Sequence, residues 1–196
     1  LLTALLDMTK LDSGALKVNQ QAFFIDDLLR PLVNEFSLLA RQKGLSLHYL
    51  PCSLGVVSDK KLLRRVIQNL VSNAIRYTQQ GRILVAVKRH GLECKIRVID
   101  TGSGIASEQQ HEIFKEFKQL DGQHNSQGLG LGLTIVERIS GLLEHKVSVH
   151  SVVDKGSCFE VCVPLSIEAP ILVKPSRESV IDNSLLLQHK TVLVIE

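Results

Sequence analysis

The chain has 196 residues and a mass of 21.7 kDa, which is enough for one well-developed hydrophobic core with short appended segments. Its 23 basic and 20 acidic residues leave a net charge of +3, too small to predict a nucleic-acid surface. No apolar run approaches the ~20 residues of a membrane span, and no signal-peptide pattern opens the sequence. The four cysteines form no CxxC pair, so we expect small core or strand residues in a reducing compartment.

The N-terminal part of the chain predicts a helix end, a strand and a full helix. Residues 1–11 have apolar residues at helical spacing but no capping residue before them, so we expect the sequence to begin inside a longer helix that ends at 12–14. Residues 15–21 predict a short strand. A second helix is predicted from Asp26 to Gly44, because glycine commonly follows the last turn of a helix.

The remaining segments predict a sheet with one buried face. A half-buried strand is expected at 45–50, followed by a helix at 59–78 with Ser58 or Asp59 as its cap, and by two strands that meet at Gly91. Then come a helix at 131–143 and strands at 146–153 and 157–163, which turn at 154–156. The apolar residues that stand at every second position of these strands, and so point to one side, are Leu45, Leu47, Tyr49, Ile83, Val85, Val87, Cys94, Ile96, Val98, Val147, Val149, Phe159, Val161 and Val163.

Alternation in strand after strand means that one face of the sheet is buried and the other is solvated. The fold class predicted is therefore α/β, a two-layer sandwich in which helices cover one face of a mixed sheet. A doubly wound Rossmann domain would instead need continuously apolar strands.

A stripe of polar residues lies along the predicted 59–78 helix. Asn69, Asn73 and Tyr77 follow one another at a spacing of four residues, beside the apolar face. Asparagine is unfavourable in the middle of a helix, so the pair either bonds a neighbouring loop or holds a ligand. A carboxamide oxygen suits Mg²⁺, and Arg76 is placed to face phosphate oxygens.

Two glycine-rich segments follow. Asp100 ends a strand and opens a turn with Gly102 and Gly104, which predicts either an ordinary Asx turn or a carboxylate that accepts a hydrogen bond from the exocyclic amine of a base. Residues 128–132 have glycine at every second position at the start of a helix, where backbone N–H groups form an anion site. Their spacing is neither that of a Rossmann motif nor that of a P-loop.

Between these segments, Ile113, Phe114 and Phe117 are either plain core residues or anchors at the start of a loop. The tip of that loop, 121–127, is polar throughout. We therefore expect residues 118–127 to form a mobile lid over a ligand.

These segments, in this order within 69–134, closely resemble the motifs of the catalytic, ATP-binding domain of sensor histidine kinases. Residues 69–77 resemble the N box of that family, 100–104 the G1 box, 113–117 the F box and 128–134 the G2 box. Residues 155–157 are similar to its closing glycine motif. The resemblance implies the Bergerat ATP-binding fold.

The resemblance also implies ATP and Mg²⁺ as cofactors. Asn73 would be the Mg²⁺ ligand, with Asn69 lining the same catalytic site, and Asp100 would bind the adenine amine. The other residues it places around the nucleotide are Arg76, Tyr77, Gly102, Gly104, Ile105, Lys118, Gly128, Leu129, Gly130, Leu131, Gly132 and Thr134.

Outside the catalytic domain, expected at 15–165, the flanking segments resemble other parts of such proteins. Residues 1–14 look like the end of the dimerisation and phosphoacceptor helix, 166–190 read as a linker, and 191–196 are similar to the first strand of a receiver domain. The resemblance implies a bacterial, cytoplasmic fragment of a hybrid kinase. Its partners would be its own phosphoacceptor domain within a homodimer and a receiver domain or response regulator, without nucleic acid.

The reaction implied is transfer of the ATP γ-phosphate to a histidine on a separate helical domain. None of the seven histidines stands in the phosphoacceptor context of the family; His111 comes nearest but leads directly into the F box. Two alternatives remain. An ATP hydrolase resembling DNA gyrase would need a glutamate base where Asn69 stands, and a non-catalytic interaction module would have no need of the ligand-type residues.

Overall fold

A computed structural model describes residues 17–115 and 131–166. Its elements in chain order are β1 (Gln21–Phe24), α1 (Asp26–Gln42), β2 (Ser46–Tyr49), β3 (Gly55–Ser58), α2 (Lys60–Tyr77), β4 (Arg82–His90), β5 (Glu93–Asp100), a 3-10 turn (Ser107–Gln109), α3 (Gly132–Leu142), β6 (Val147–Val152) and β7 (Gly156–Pro164). No helix in this part of the chain is long and apolar enough to cross a membrane.

Five strands form one mixed sheet in the order β2-β4-β5-β7-β6, in which only β2 and β4 run parallel. The apolar residues predicted to share a face do so, since Ile83, Ile96 and Val161 have no exposed surface. Helices α1, α2 and α3 supply the rest of that core, and α2 begins at Asp59, whose carboxylate accepts hydrogen bonds from the N–H groups of Lys61 and Leu62. The two-layer sandwich with helices on one face is confirmed.

One predicted strand is wrong in its position. No strand occurs at 17–20, and β1 instead spans Gln21–Phe24, where it pairs antiparallel with β3 in a separate two-stranded sheet. Strand β3 has no counterpart among the strands predicted from the sequence. In β3 the alternate residues Val56 and Ser58 are both fully buried, but one is apolar and the other polar, so the sequence shows no apolar alternation there.

The solvated face of the large sheet is less exposed than alternation predicts. The alternation of β7 puts Glu160 on the wet side, yet it is 5% exposed, because Arg97 and Lys95 of the neighbouring strand β5 pair with its carboxylate at 2.8 Å and 2.7 Å. Burial alone would raise the pKa of Glu160, but these hydrogen bonds and ion pairs outweigh burial and lower it. Cys162 is also buried, and all four cysteines are free thiols.

Candidate functional site

The asparagine pair of α2 lies against the first turn of α3. A β-carbon at position 132 would lie 3.5 Å from Asn69 Oδ1 and 3.6 Å from both Oδ1 and Nδ2 of Asn73, so both carboxamides lie next to this glycine. Asn69 Nδ2 donates to the carbonyl of Arg65 at 2.9 Å, which leaves its oxygen available. The carboxamides of Asn69 and Asn73 therefore both lie beside the first turn of α3.

The last turn of α2 is held by the lysine that follows the last residue of α1. Lys43 Nζ donates to the carbonyls of Ile75 and Arg76, both at 2.6 Å. Such terminal carbonyls have no partner within their own helix, and a cation there complements the helix dipole. Burial and the neighbouring Arg76 lower the pKa of Lys43. The lysine thus positions the turn that carries Arg76 and Tyr77.

Arg76 and Tyr77 sit together on the rim of the site. The guanidinium carbon of Arg76 lies 5.7 Å from the centre of the Tyr77 ring, a cation–π arrangement, and Tyr77 is 38% exposed. The Tyr77 carbonyl would be only 2.6 Å from a β-carbon at position 102, so glycine is required there. This close approach joins the end of α2 to the turn that follows Asp100.

Asp100 is buried at the end of β5. It is 6% exposed, and its Oδ1 accepts a hydrogen bond from the Gly102 N–H at 2.8 Å. Burial raises the pKa of Asp100, while backbone hydrogen bonds from Gly102 and Ser157 act in the opposite direction. Two donors do not exhaust a carboxylate, which has about four acceptor positions. The group retains capacity for an amine donor.

The β6–β7 hairpin presses against this turn. Gly156 has a φ of +107°, and a β-carbon there would collide with the carbonyl of Asp100. The N–H of Ile105 donates to Ser151 Oγ at 2.8 Å, and the Gln110 amide donates to the carbonyls of both Ile105 and Ser151. The predicted residues Asp100, Gly102, Gly104 and Ile105 therefore belong to one backbone assembly that spans two hairpins.

Two buried hydroxyls beside the site have no partner among residues 17–115 and 131–166. Thr134 is 2% exposed and Thr78 is fully buried, and within these ranges neither Oγ1 has a hydrogen-bond partner. Thr134 lies in the first turn of α3, whereas Thr78 directly follows Tyr77. An unpaired buried hydroxyl costs about 1–3 kcal/mol, so this region suits a ligand that supplies hydrogen bonds.

Of the F-box segment the structure describes Ile113 and Phe114, and both pack with the core. Ile113 is buried, and Phe114 is half-buried against the core. Leu131 is also a core residue. Phe117, Lys118, Gly128, Leu129, Gly130 and the lid at 118–127 lie outside the described residues, as do residues 1–14 and the chain after 166.

Several residues that contact the backbone of the site were not predicted as site residues from the sequence. Lys43 precedes the predicted terminal glycine, Thr78 follows the N box, and Ser157 closes the last glycine motif, so each had a weak positional signal. Ser151 and Gln110 had none, because serine and glutamine at these positions match no spacing pattern.

The residues present fit a magnesium–nucleotide complex. Amide oxygens are ligands of the kind that Mg²⁺ accepts while it keeps several waters and binds substrate phosphates. The carboxamides of Asn69 and Asn73 lie at the start of α3, and the buried Asp100 carboxylate lies beyond the other end of the Asn69–Tyr77 stripe. This arrangement can bind phosphates at one end and a base at the other.

Comparison with known proteins gives one family. A model of the family described as histidine kinase-, DNA gyrase B-, and HSP90-like ATPase matches residues 58–167. Autoinducer 2 sensor kinase/phosphatase LuxQ of Vibrio vulnificus is 34% identical over 176 residues, covering 84% of this chain and 20% of LuxQ. Aerobic respiration control sensor protein ArcB of Escherichia coli is 30% identical over 199 residues, covering 98% of this chain and 25% of ArcB. The chain thus spans a quarter or less of these relatives.

Solved structures show the same fold. Full-length ShkA in complex with AMPPNP superposes with a TM-score of 0.76 and 27% identity, over 85% of this chain and 35% of ShkA. The nucleotide-free catalytic domain of histidine kinase ThkA superposes with a TM-score of 0.65 over 74% of this chain and 97% of that domain. Its identity of 24% supports the fold alone.

Proposed function

Because the chain belongs to the family of histidine kinase-, DNA gyrase B-, and HSP90-like ATPases, and its relatives are sensor kinases, we propose that it binds Mg·ATP and delivers the γ-phosphate to a histidine on a separate helical domain. The convergence of Asn69 and Asn73 on Gly132, with Asp100 buried beyond the far end of the same stripe, is the observation that carries this proposal. The AMPPNP complex of ShkA supports ATP as the nucleotide.

Each residue has a role in this proposal. Asp100 accepts a hydrogen bond from the adenine amine, and Tyr77 packs beside the base. Arg76, the backbone N–H groups of 128–132 and the weaker candidate Lys118 bind phosphate oxygens. Asn73, with Asn69 beside it, would hold Mg²⁺, which neutralises charge on the phosphates.

The transfer needs no base on this chain. An imidazole nitrogen of the acceptor histidine attacks the γ-phosphorus, the bond to the β-phosphate oxygen breaks, and ADP leaves with that electron pair, while the proton on the other ring nitrogen passes to solvent. The role of the domain is to position the reactants and neutralise their charge. The hydrolases of the family need a glutamate base at the position where this chain has Asn69. Because asparagine cannot take a proton from water, this position favours phosphate transfer to histidine over hydrolysis of ATP.

We place the fragment within a larger protein. In this proposal 1–14 end the phosphoacceptor helix, 15–165 form the catalytic domain, 166–190 form a linker and 191–196 begin a receiver domain, as in a hybrid kinase of the bacterial cytoplasm. The match to ArcB, which spans 98% of this chain, supports including the flanks.

Transfer in trans tests the proposal. The chain is mixed with Mg·ATP and a dimeric helical domain that carries a histidine, a neighbouring acidic residue and a downstream proline. We expect phosphate on the helical domain that is labile in acid and stable in alkali, with very slow ATP hydrolysis and no label on this chain. Stable phosphate on any histidine of this chain would contradict the proposal.

A further inference from the structure

The hydroxyl of Ser151 lies at the centre of a hydrogen-bond network behind Asp100. Its Oγ accepts the N–H of Ile105 at 2.8 Å, lies 2.9 Å from the carbonyl oxygen of Gly156, and lies 3.0 Å from Ser157 Oγ. Ser151 is on β6, whereas Gly156 and Ser157 begin β7.

Counting protons assigns the direction of each hydrogen bond. A hydroxyl has one proton to donate and two lone pairs to accept with. The Gly156 carbonyl can only accept, so the Ser151 proton goes to it. The hydrogen bond between the two hydroxyls must then use the proton of Ser157, and Ser151 accepts it together with the Ile105 N–H. Ser157 is left with lone pairs only.

Ser157 faces the same end of the site as Asp100. The two residues are direct partners in the pairing of β5 with β7, and they are 7% and 6% exposed. The ionised carboxylate of Asp100 also only accepts hydrogen bonds. This end of the pocket therefore presents two acceptors, which suits the exocyclic amine of adenine and opposes a base with a carbonyl oxygen there.

We propose that Ser151 is a positioning residue that sets base selectivity, because it holds the Ser157 hydroxyl as an acceptor beside Asp100. The inference rests on the proposed nucleotide-binding function and adds a specificity device to it. Ser151 itself acts only through Ser157.

The backbone around Ser151 is held independently of its hydroxyl. Gln110 Nε2 donates to the carbonyls of Ser151 and Ile105 at 2.9 Å and 3.1 Å, and β6 pairs with β7 along its length. Replacing the hydroxyl should therefore release the Ser157 proton without dismantling the turn.

Calorimetric titration with ATP and with inosine triphosphate, which has a carbonyl where adenine has its amine, tests the inference. We expect Ser151→Ala to raise the affinity for inosine triphosphate relative to ATP by about tenfold, the worth of one hydrogen bond. Ser151→Thr, which keeps the hydroxyl, should keep the wild-type ratio. In a Ser157→Ala background, Ser151→Ala should leave the ratio unchanged.

An unchanged ratio in Ser151→Ala, or a shift that persists without the Ser157 hydroxyl, would overturn the inference while leaving the proposed function in place. Equal loss of both nucleotides would mean a merely structural role and would also overturn it. If Ser151→Ala does not fold, Ser157→Ala alone decides, because it must shift the ratio in the same direction. Failure of the wild type to bind ATP would instead remove the proposed function.

Discussion

Replacing Asp100 with asparagine should weaken ATP binding without weakening the empty domain. The amide has nearly the shape of the carboxylate but lacks its charge. A hydrogen bond to a charged acceptor is worth about 1.5–3 kcal/mol, and Asp100 is only 6% exposed, so solvent screens it little. At about 1.4 kcal/mol per factor of ten, Asp100→Asn should raise the Kd for ATP roughly 10- to 150-fold.

The effect on stability has the opposite sign. Burial raises the pKa of Asp100 above its value in the unfolded chain. The stability linked to the protonated form is present at low pH and is lost as pH rises through the folded pKa. The ionised carboxylate is therefore unfavourable at neutral pH, and asparagine avoids it. The amide oxygen has two lone pairs with which to accept the N–H groups of Gly102 and Ser157. The empty variant should melt at or above the wild-type temperature at neutral pH.

Thermal melts from about pH 4 to about pH 8, together with calorimetric titration of ATP, measure both effects. Asp27→Asn is a matched control, because Asp27 is an exposed carboxylate on α1 and should leave ATP affinity unchanged. Unchanged ATP affinity in Asp100→Asn, or comparable ATP and GTP affinities in the wild type, would refute the assignment of Asp100 to the base. A clearly lower melting temperature would refute the stability argument.

Asn73→Ala should abolish Mg²⁺-dependent ATP binding, because it removes the proposed ligand, and should leave the fold intact, because alanine is the better helix former. Asn34→Ala, on an exposed face of α1, is the control. Calorimetric titration with ATP, with and without Mg²⁺, measures the difference. Gly156→Ala should lower the free energy of unfolding, measured in urea, by ~3 kcal/mol or more, because the new β-carbon would collide with backbone atoms. Gly91→Ala, with open space around it, should lower it by only ~1 kcal/mol. Equal losses in the two variants would contradict the close approach of backbone at Gly156. Glu160→Gln should lower stability by about 1–3 kcal/mol at neutral pH. The lowered pKa of this glutamate means that its stabilisation is lost in acid, so the difference should shrink there; a constant difference would count against it.

Local periodicity was enough to predict the main architecture. Apolar residues at every second position place Ile83, Ile96 and Val161 on one face, because successive side chains of a strand point to opposite sides. The helices were predicted from the spacing of their apolar residues and from the residues at their ends, such as Asp59 before α2 and Gly44 after α1. The ligand-type residues could be identified because their chemistry is unusual for their positions, as with Asn69 and Asn73 inside a helix.

Tertiary structure alone decided features that depend on partners far along the chain. Strands β1 and β3 exist because they pair with each other, and neither has a pattern of its own. Glu160 is buried on a solvated face because Lys95 and Arg97 lie beside it on the neighbouring strand. Lys43 acts by donating hydrogen bonds to carbonyls of α2, and Ser151 acts through its hydrogen bonds to the turn after Asp100 and to β7. The same residue types elsewhere would be ordinary surface residues. A sequence records which groups can donate or accept, but only the folded chain determines which of them meet.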